Sequence, residues 1–409
     1  MKTVVFIETN FSGLDAIRYC KEKGYRAVLV TDSFDRFRRW FPSSVLYKLD
    51  LAAQVVTVKN SNDIDEVRTA LKKQVGTIDA MLTFAEIRTH AVARLCRELG
   101  LSGCNPAAVE LAQDKHRFRQ VLLEREADTV KSTRVDSVEQ LAALKDQLKY
   151  PCFIKPLRGH SSIGSVLCRD ASEFSRVTAS LSQISEDWIS RAFVVEDYLD
   201  GDLVSVEILT TGPGKHQVVG VADRDVIKDS IETGSSFPLV NAHRDAVVAK
   251  ACRALDAIGY DFGASHVEMM VTRDGPHLVE VNTRVGGSGH SVMLDLSTGR
   301  SIVGDCVELC LGTLEKKDPL YGFEQGAAWK CFVSPKTGTI RSMPSFEDIK
   351  SRAGVKEVWF HHEPGDEIKG VDSNFSWILQ VMCTGKDSHE AKSNAARAIE
   401  FVEAQTVIA

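Results

Sequence analysis

Three observations predict a multidomain chain, α/β at its N-terminus and α+β thereafter. Apolar strand-length runs alternate with helix-length amphipathic segments over the first hundred residues. Two hairpins with glycine-containing turns follow in the middle of the chain. A shorter stretch of mixed strand and helix ends it. At 409 residues the chain suits two to three domains of about 150 residues each.

The elements follow in order. TVVFI (3–7) is a short apolar strand, and Glu8 to Gly13 reads as a polar loop. Leu14 to Lys23 is helix-like, with Gly24 as its C-cap, and RAVLV (26–30) is the next strand. VVTV (55–58) and DAMLTF (79–84) continue the alternation, which argues a parallel sheet with helices on its faces. The loop after the first strand holds Gly13 and no G-x-G-x-x-G. Asp32, standing where a dinucleotide site would put its ribose acid, therefore lacks its supporting motif. SGCNP (102–106) is the first boundary, and helices are expected at about 107–125 and 137–148. CFIKPLRGHSSIGSVLC (152–168) reads strand, glycine–serine loop, strand. RAFVVEDYLDG (191–201) is a strand running into a turn. VSVEILT (204–210) and QVVGVAD (217–223) form a hairpin about TGPG. His243 to Ile258 is an amphipathic helix, 265–282 is the second hairpin, and a smaller αβ module begins at about 313 and ends in a helix (388–404).

Composition narrows the function. Apolar residues are 44% and charged residues 26%, which excludes bulk disorder and rod-like coiled coil. With Lys+Arg 50 against Asp+Glu 56 the net charge is −6, so no basic footprint for nucleic acid exists. No apolar run approaches the roughly 20 residues of a membrane span, and Val4 to Ile7 is too short for a signal-peptide core. The 10 scattered cysteines include no C-x-x-C, so the thiols read as reduced and the chain as cytoplasmic. Cys306 and Cys310, one helical turn apart, read as core thiols.

The chemistry concentrates in the second hairpin. Glu268 and Glu280 each lie six residues from Asp274 in its turn, which sets them opposite each other across the ladder. Directly opposed carboxylates stand about 5 Å apart at Cα, and like charges there need neutralising. Asn282 points the same way as Glu280, so an all-oxygen cluster forms that suits Mg²⁺. Arg284 adds a cation to that face. Elsewhere, Lys155 lies in an apolar strand, where a lysine pointing inward calls for an anion. The Arg158-Gly159-His160-Ser161-Ser162-Ile163-Gly164-Ser165 loop after it has residues small enough for backbone N–H groups to close on phosphate, although an ordinary hairpin turn looks alike. VVEDYLDG (194–201) is by itself only a strand with a solvated acidic end.

Taken together and in this order, these features resemble the ATP-grasp superfamily. Lys155 and its loop match the lysine and lid loop, and Glu196-Asp197-Tyr198-Leu199 the acidic adenine-contacting linker. Glu268 with Glu280, Asn282 and Arg284 matches the metal hairpin, and Lys115, at a helix start, the first nucleotide lysine. The resemblance implies an ATP-grasp fold. Residues 1–105 would be its Rossmann-like preceding domain, 106–312 the grasp with a lid at about 128–197, and 313–409 a C-terminal αβ module packed on it. Within the superfamily, SHVEMMVTRDGPHLVEVNTRVGGSG (265–289), ETGSSFP (232–238) and AAWKCFVSPKTGTI (327–340) resemble L-amino acid ligases, which join an amino acid or small acid to an amino acid.

The resemblance further implies ATP and Mg²⁺, with Mn²⁺ as a substitute, and an acyl phosphate intermediate. Lys115, Lys155, Ser161, Ser162 and Gly164 would hold phosphates, Glu196 to Leu199 and Met270 the adenine, and Glu268, Glu280 and Asn282 the metal. Arg284 and Lys155 would be catalytic. Glu232, Ser235, Arg284, Gly286 and Gly287 would meet the substrates. Two departures stand out: Leu203 replaces a usual glutamate before Ser-Val-Glu, and Ser235 replaces a common histidine. Small molecules would be the partners, and dimers are common among relatives. Other acceptors (bicarbonate, a thiol, a purine-pathway amine) and a non-catalytic ATP-binding module remain open. His361-His362 reads as an exposed turn before Pro364-Gly365.

Overall fold

The computed structural model describes every residue except His160, Ser185, Asp187 and Asp229, so the place expected for His160 in the glycine–serine loop lies outside the described residues. At the N-terminus, strands Thr3–Ile7, Arg26–Thr31, Gln54–Thr57 and Ala80–Leu82 form a parallel sheet with the first two strands at its centre. The first helix begins earlier than expected, at Phe11, because Asn10 caps it by accepting the Gly13 N–H at 3.0 Å. Gly13 is required for close packing: a Cβ there would lie 2.0 Å from Thr9 Oγ1. Asp32 is engaged within the protein. Its carboxylate is taken by Arg36, by Arg88 at 3.0 Å and by Ser61, and these outweigh burial to hold it at about 2.

Instead of one helix over 107–125 there are two, Pro106–Gln113 and Lys115–Glu124. Asp114 ends the first and caps the second through the Arg117 N–H. This break places Lys115 at the head of a helix. The helix expected at 137–148 is shorter, Val138–Ala143. A four-stranded antiparallel sheet runs in the order Ser132–Val135, Phe193–Asp197, Cys152–Pro156, Val166–Cys168. A second antiparallel sheet orders His216–Asp223, Gly201–Thr210, Gly263–Thr272 and Gly275–Asn282.

The last large sheet crosses the position expected for the third domain boundary. Ile231–Phe237 pairs with Gly326–Phe332, so strands from before residue 313 share a sheet with Leu379–Gly385 and Val355–Phe360. Helix Ser388–Gln405 covers that sheet with its buried stripe of Ala391, Ala395, Ala398 and Val402. Cys306 and Cys310 face apolar packing, as thiols in a core do. Among the described residues, no helix is long and apolar enough to cross a membrane.

Candidate active site

The hairpin Gly263–Thr272/Gly275–Asn282 turns on Arg273 and Asp274, with Thr272 opposite Gly275. A turn centred there would by itself set Glu268 against Val279. A bulge corrects the register: Met269 faces Leu278, Glu268 faces Glu280, and Val279 is the extra residue. The Val279 carbonyl then accepts from Arg119 Nη2 at 3.2 Å and Lys155 Nζ at 3.4 Å. On its other side strand Gly263–Thr272 sets Ser205 opposite Glu268 and Glu207 opposite His266. One sheet face thus carries two polar rows, Ser205–Glu268–Glu280 and Glu207–His266–Asn282.

Cations reach this face from its edges. Lys115 Nζ lies 3.6 Å from Glu280 Oε2 and donates to the Gly159 carbonyl at 3.2 Å. Arg284 Nη2 donates to Asn282 Oδ1 at 3.3 Å, and its Nε lies 2.8 Å from Glu86 Oε2. His266 Nε2 lies 3.1 Å from Glu268 Oε1, and its Nδ1 2.6 Å from Glu207 Oε1. Burial pushes the Glu268 carboxyl up, but His266 and Arg224 overcome it and hold the group at about 2. Glu268, Glu280 and Asn282 offer oxygen donors in a place already shaped to receive positive charge. This donor set fits Mg²⁺ or Mn²⁺.

Lys155 is buried and lies 2.8 Å from Glu196 Oε2. Arg119 grips the same carboxylate at both oxygens, at 2.8 and 3.1 Å. Burial pushes Lys155 down, and it pushes Glu196 up until Arg119 and Lys155 outweigh it and hold that carboxyl at about 2. The cavity among these groups measures about 450 Å³. It is lined by Lys115, Lys155, Ser161, Ser162, Glu196, Asp197, Tyr198, Leu199 and Met270, and by Glu232, Glu268, Glu280, Asn282, Arg284 and Gly287.

Three expected residues do not line it. Ser235 is buried, and its Oγ donates to the Asp223 carbonyl at 2.6 Å. Gly164 packs under the loop, where a Cβ would meet Ile184 Cδ1 at 2.6 Å. Gly286 packs on the His266 and His290 rings, where a Cβ would sit 2.9 Å from His266 Nδ1. Glu232 lines the cavity already ion-paired to Arg224. His361 is not an exposed turn residue: its ring packs at 5.9 Å from Trp377, and burial depresses it to about 4.

Sequence reasoning missed Glu86, Glu207, Arg224, His266 and His290. A signal existed for two of them, since His266 and Glu268 alternate along one strand and Glu207 follows Ser205 in the same way. Their meeting depends on pairing between strands about 60 residues apart in sequence, which periodicity does not reveal. Glu86 arrives from the N-terminal domain and leaves no motif.

Comparison with known proteins adds the following. The ATP-grasp domain model matches residues 148–292, and the L-amino acid ligase C-terminal domain 2 model matches 330–407. Alanine–anticapsin ligase of Bacillus subtilis (strain 168) is 26% identical over 231 residues, 51% of this chain and 49% of that protein. The chain thus aligns with about half the length of that ligase. Protein y4rH of Sinorhizobium fredii is 24% identical over 333 residues, 80% of this chain and 68% of that one. The crystal structure of L-amino acid ligase from Bacillus licheniformis superposes with a TM-score of 0.81 at 19% identity, covering 98% of each chain. The fold is therefore ATP-grasp.

Proposed function

We propose that this chain, which carries an ATP-grasp domain and an L-amino acid ligase C-terminal domain, is an ATP-dependent carboxylate–amine ligase. It joins an amino acid or a small carboxylic acid to an amino acid. The observation that carries this reading is the bulge-corrected pairing of Glu268 with Glu280, beside Asn282, in one cavity with Lys115, Lys155 and Arg284.

In the first step a substrate carboxylate oxygen attacks the γ-phosphorus of ATP. The bond to the β–γ bridging oxygen breaks, ADP leaves and an acyl phosphate forms. In the second step an amine attacks the acyl carbon, the C–O bond to phosphate breaks, and the amide forms as the amine loses a proton. Mg²⁺ held by Glu268, Glu280 and Asn282 would offset charge on the phosphates. Lys115 and Lys155 hold phosphate oxygens, and Arg284, braced by Glu86, faces the transferring group. Backbone from Glu196 to Leu199, with Met270, receives the adenine. The 158–165 loop covers the phosphates and excludes water that would hydrolyse the acyl phosphate. Ser162 Oγ ties this loop to the Ser230 carbonyl at 2.7 Å. Glu232 and Gly287 lie on the substrate side, where Glu232 would share its charge between Arg224 and an incoming ammonium.

Phosphate release from ATP is the test, run against amino acids singly and in pairs, small acids, bicarbonate and thiols. Phosphate that appears only with particular acid–amine pairs, matched by amide product, is the expected result. Glu280→Gln should lower it on the order of 100-fold or more. Release driven by bicarbonate or a thiol would overturn the amine assignment, and wild-type turnover in Glu280→Gln would overturn the metal assignment.

A further inference from the structure

We propose that His266 is a positioning residue that sets the Glu268 carboxylate for the metal–nucleotide complex, with Glu207 and Ser205 as its anchor. The proposal rests on the reading of Glu268 as a metal ligand given above.

The argument begins with what Glu268 faces. It stands directly across the ladder from a second carboxylate, Glu280. Like charges so placed swing apart unless each is held. Glu280 is held by Asn282 Nδ2 at 3.0 Å and faces Lys115. Glu268 is held by His266, whose Nε2 lies 3.1 Å from Oε1. One oxygen fixed in this way leaves the other free to face the cavity.

The imidazole is itself immobilised. Its Nδ1 lies 2.6 Å from Glu207 Oε1, and the same oxygen accepts from Ser205 Oγ at 2.9 Å. The single Nε2 hydrogen is directed at Glu268, so Arg224 Nη1, 2.8 Å from Nε2, packs against that edge without a hydrogen bond to it, and Arg224 is fixed in turn by Glu232. The His290 ring packs edge-on with its centroid 5.2 Å away. Gly286 closes the remaining edge, since any side chain there would strike Nδ1. A ring held at both nitrogens and packed on its edges cannot rotate. Whatever it holds is preorganised, as partners behind a metal ligand commonly are.

A rival reading makes Glu207, His266 and His290 a metal centre of their own, because their donor atoms lie within 4.8 Å of one another. The Glu207–His266 distance of 2.6 Å argues against it. Two ligands on one tetrahedral ion at about 2.0–2.1 Å stand about 3.3 Å apart. The observed contact is a hydrogen bond.

The test uses the full chain, Mn²⁺ as the spectroscopic probe, and a non-hydrolysable ATP analogue, so that turnover plays no part. Free and bound Mn²⁺ are separated by electron paramagnetic resonance. Glu207→Gln and His266→Ala are expected to weaken Mn²⁺ binding to the nucleotide complex by about 10- to 100-fold. His266→Gln, whose amide can still donate to Glu268, should recover part of the loss. Glu207→Gln should lower the metal-free melting temperature, since it takes a buried partner from His266, but at temperatures where the variant stays folded its metal-free nucleotide affinity should stay near wild type, which general loss of structure would not allow. If His266→Ala fails to fold, Glu207→Gln decides alone, because it keeps the ring and loosens only its anchor. Wild-type Mn²⁺ affinity in Glu207→Gln, or an equal loss of metal-free nucleotide affinity, overturns the proposal. Glu280→Gln is the control. If it abolishes Mn²⁺ binding while Glu207→Gln does not, only the positioning role fails. If it too binds normally, the metal reading fails and the proposal with it.

Discussion

Glu196 answers two buried cations at once, Arg119 through both its oxygens and Lys155 at 2.8 Å. Removing its charge leaves both cations in a low-dielectric interior, where an orphaned member of a buried pair costs about 3–5 kcal/mol. Glu196→Gln should therefore lower the melting temperature by several degrees and weaken ATP binding, and calorimetry beside nucleotide titration checks both. An unchanged melting curve would mean that the two cations find other partners. The same carboxylate shows what one residue discloses in sequence. Lys155 was legible because a lysine between Ile154 and Pro156 is out of place unless it meets charge. Glu196 looked like the solvated end of a strand, since the guanidinium that buries it lies 77 residues away. Ser235 failed for a local reason. A register shift between Glu232 and Gly234 removes the simple alternation along this strand, so Glu232 reaches the cavity while the Ser235 hydroxyl is spent on the Asp223 carbonyl.

At the scale of elements, the pairing of Glu268 with Glu280 was read correctly through a compensation the sequence does not display. Equal spacing about Asp274 named the pair Glu268–Glu280, but the turn lies between Thr272 and Gly275 and the bulge at Val279 restores the match. Deleting Val279 should remove the bulge and leave Glu280 opposite Glu268 in a regular ladder, so the carboxylate pair survives while the carbonyl that receives Arg119 and Lys155 is lost. Nucleotide binding should weaken while the hairpin still pairs, seen as retained far-ultraviolet dichroism; wild-type nucleotide affinity would show that the two cations do not need that carbonyl. The helices His290–Thr298 and Ile302–Leu311 give a second prediction. Asp295 accepts the Ile302 N–H at 2.8 Å, and burial, aided by Asp15, raises its carboxyl to about 8. The folded state therefore keeps a proton that the unfolded chain releases near pH 4, and stability falls as pH rises from about 4 to 8. The penalty at the alkaline end is on the order of 5 kcal/mol. Asp295→Asn keeps the acceptor and removes the titration. Its melting temperature should exceed that of wild type at pH 8 by more than at pH 5, and a constant difference would refute the assignment.

Across the whole molecule, the order of sheets was legible, but the way they share strands was not. Strand Ile231–Phe237 leaves the central region to join the last sheet, so a boundary at 313 cuts between pairing partners. The consequence for function lies at the cavity mouth. Asn374, in the C-terminal module, lines the cavity and accepts the Glu232 N–H at 3.0 Å. Its neighbour Phe375 packs at 4.9 Å from Trp40 of the N-terminal domain, and Trp40 also lies 6.3 Å from Trp188 in the lid region. Three separate parts of the chain thus meet through aromatic rings next to a cavity-lining residue, Asn374. Aromatic pairs contribute about 0.5–1.5 kcal/mol each beyond burial. Two pairs lost together would weaken this junction by a factor of about 5 to 150. Trp40→Ala should leave global melting nearly unchanged, because the cluster is peripheral to the core. It should still let water reach the acyl phosphate, so that phosphate released per amide formed rises well above one. Measuring both products in one reaction decides the point. A ratio that stays at one, with turnover intact, would mean that the 158–165 loop alone keeps water out and that the aromatic contacts only join the domains.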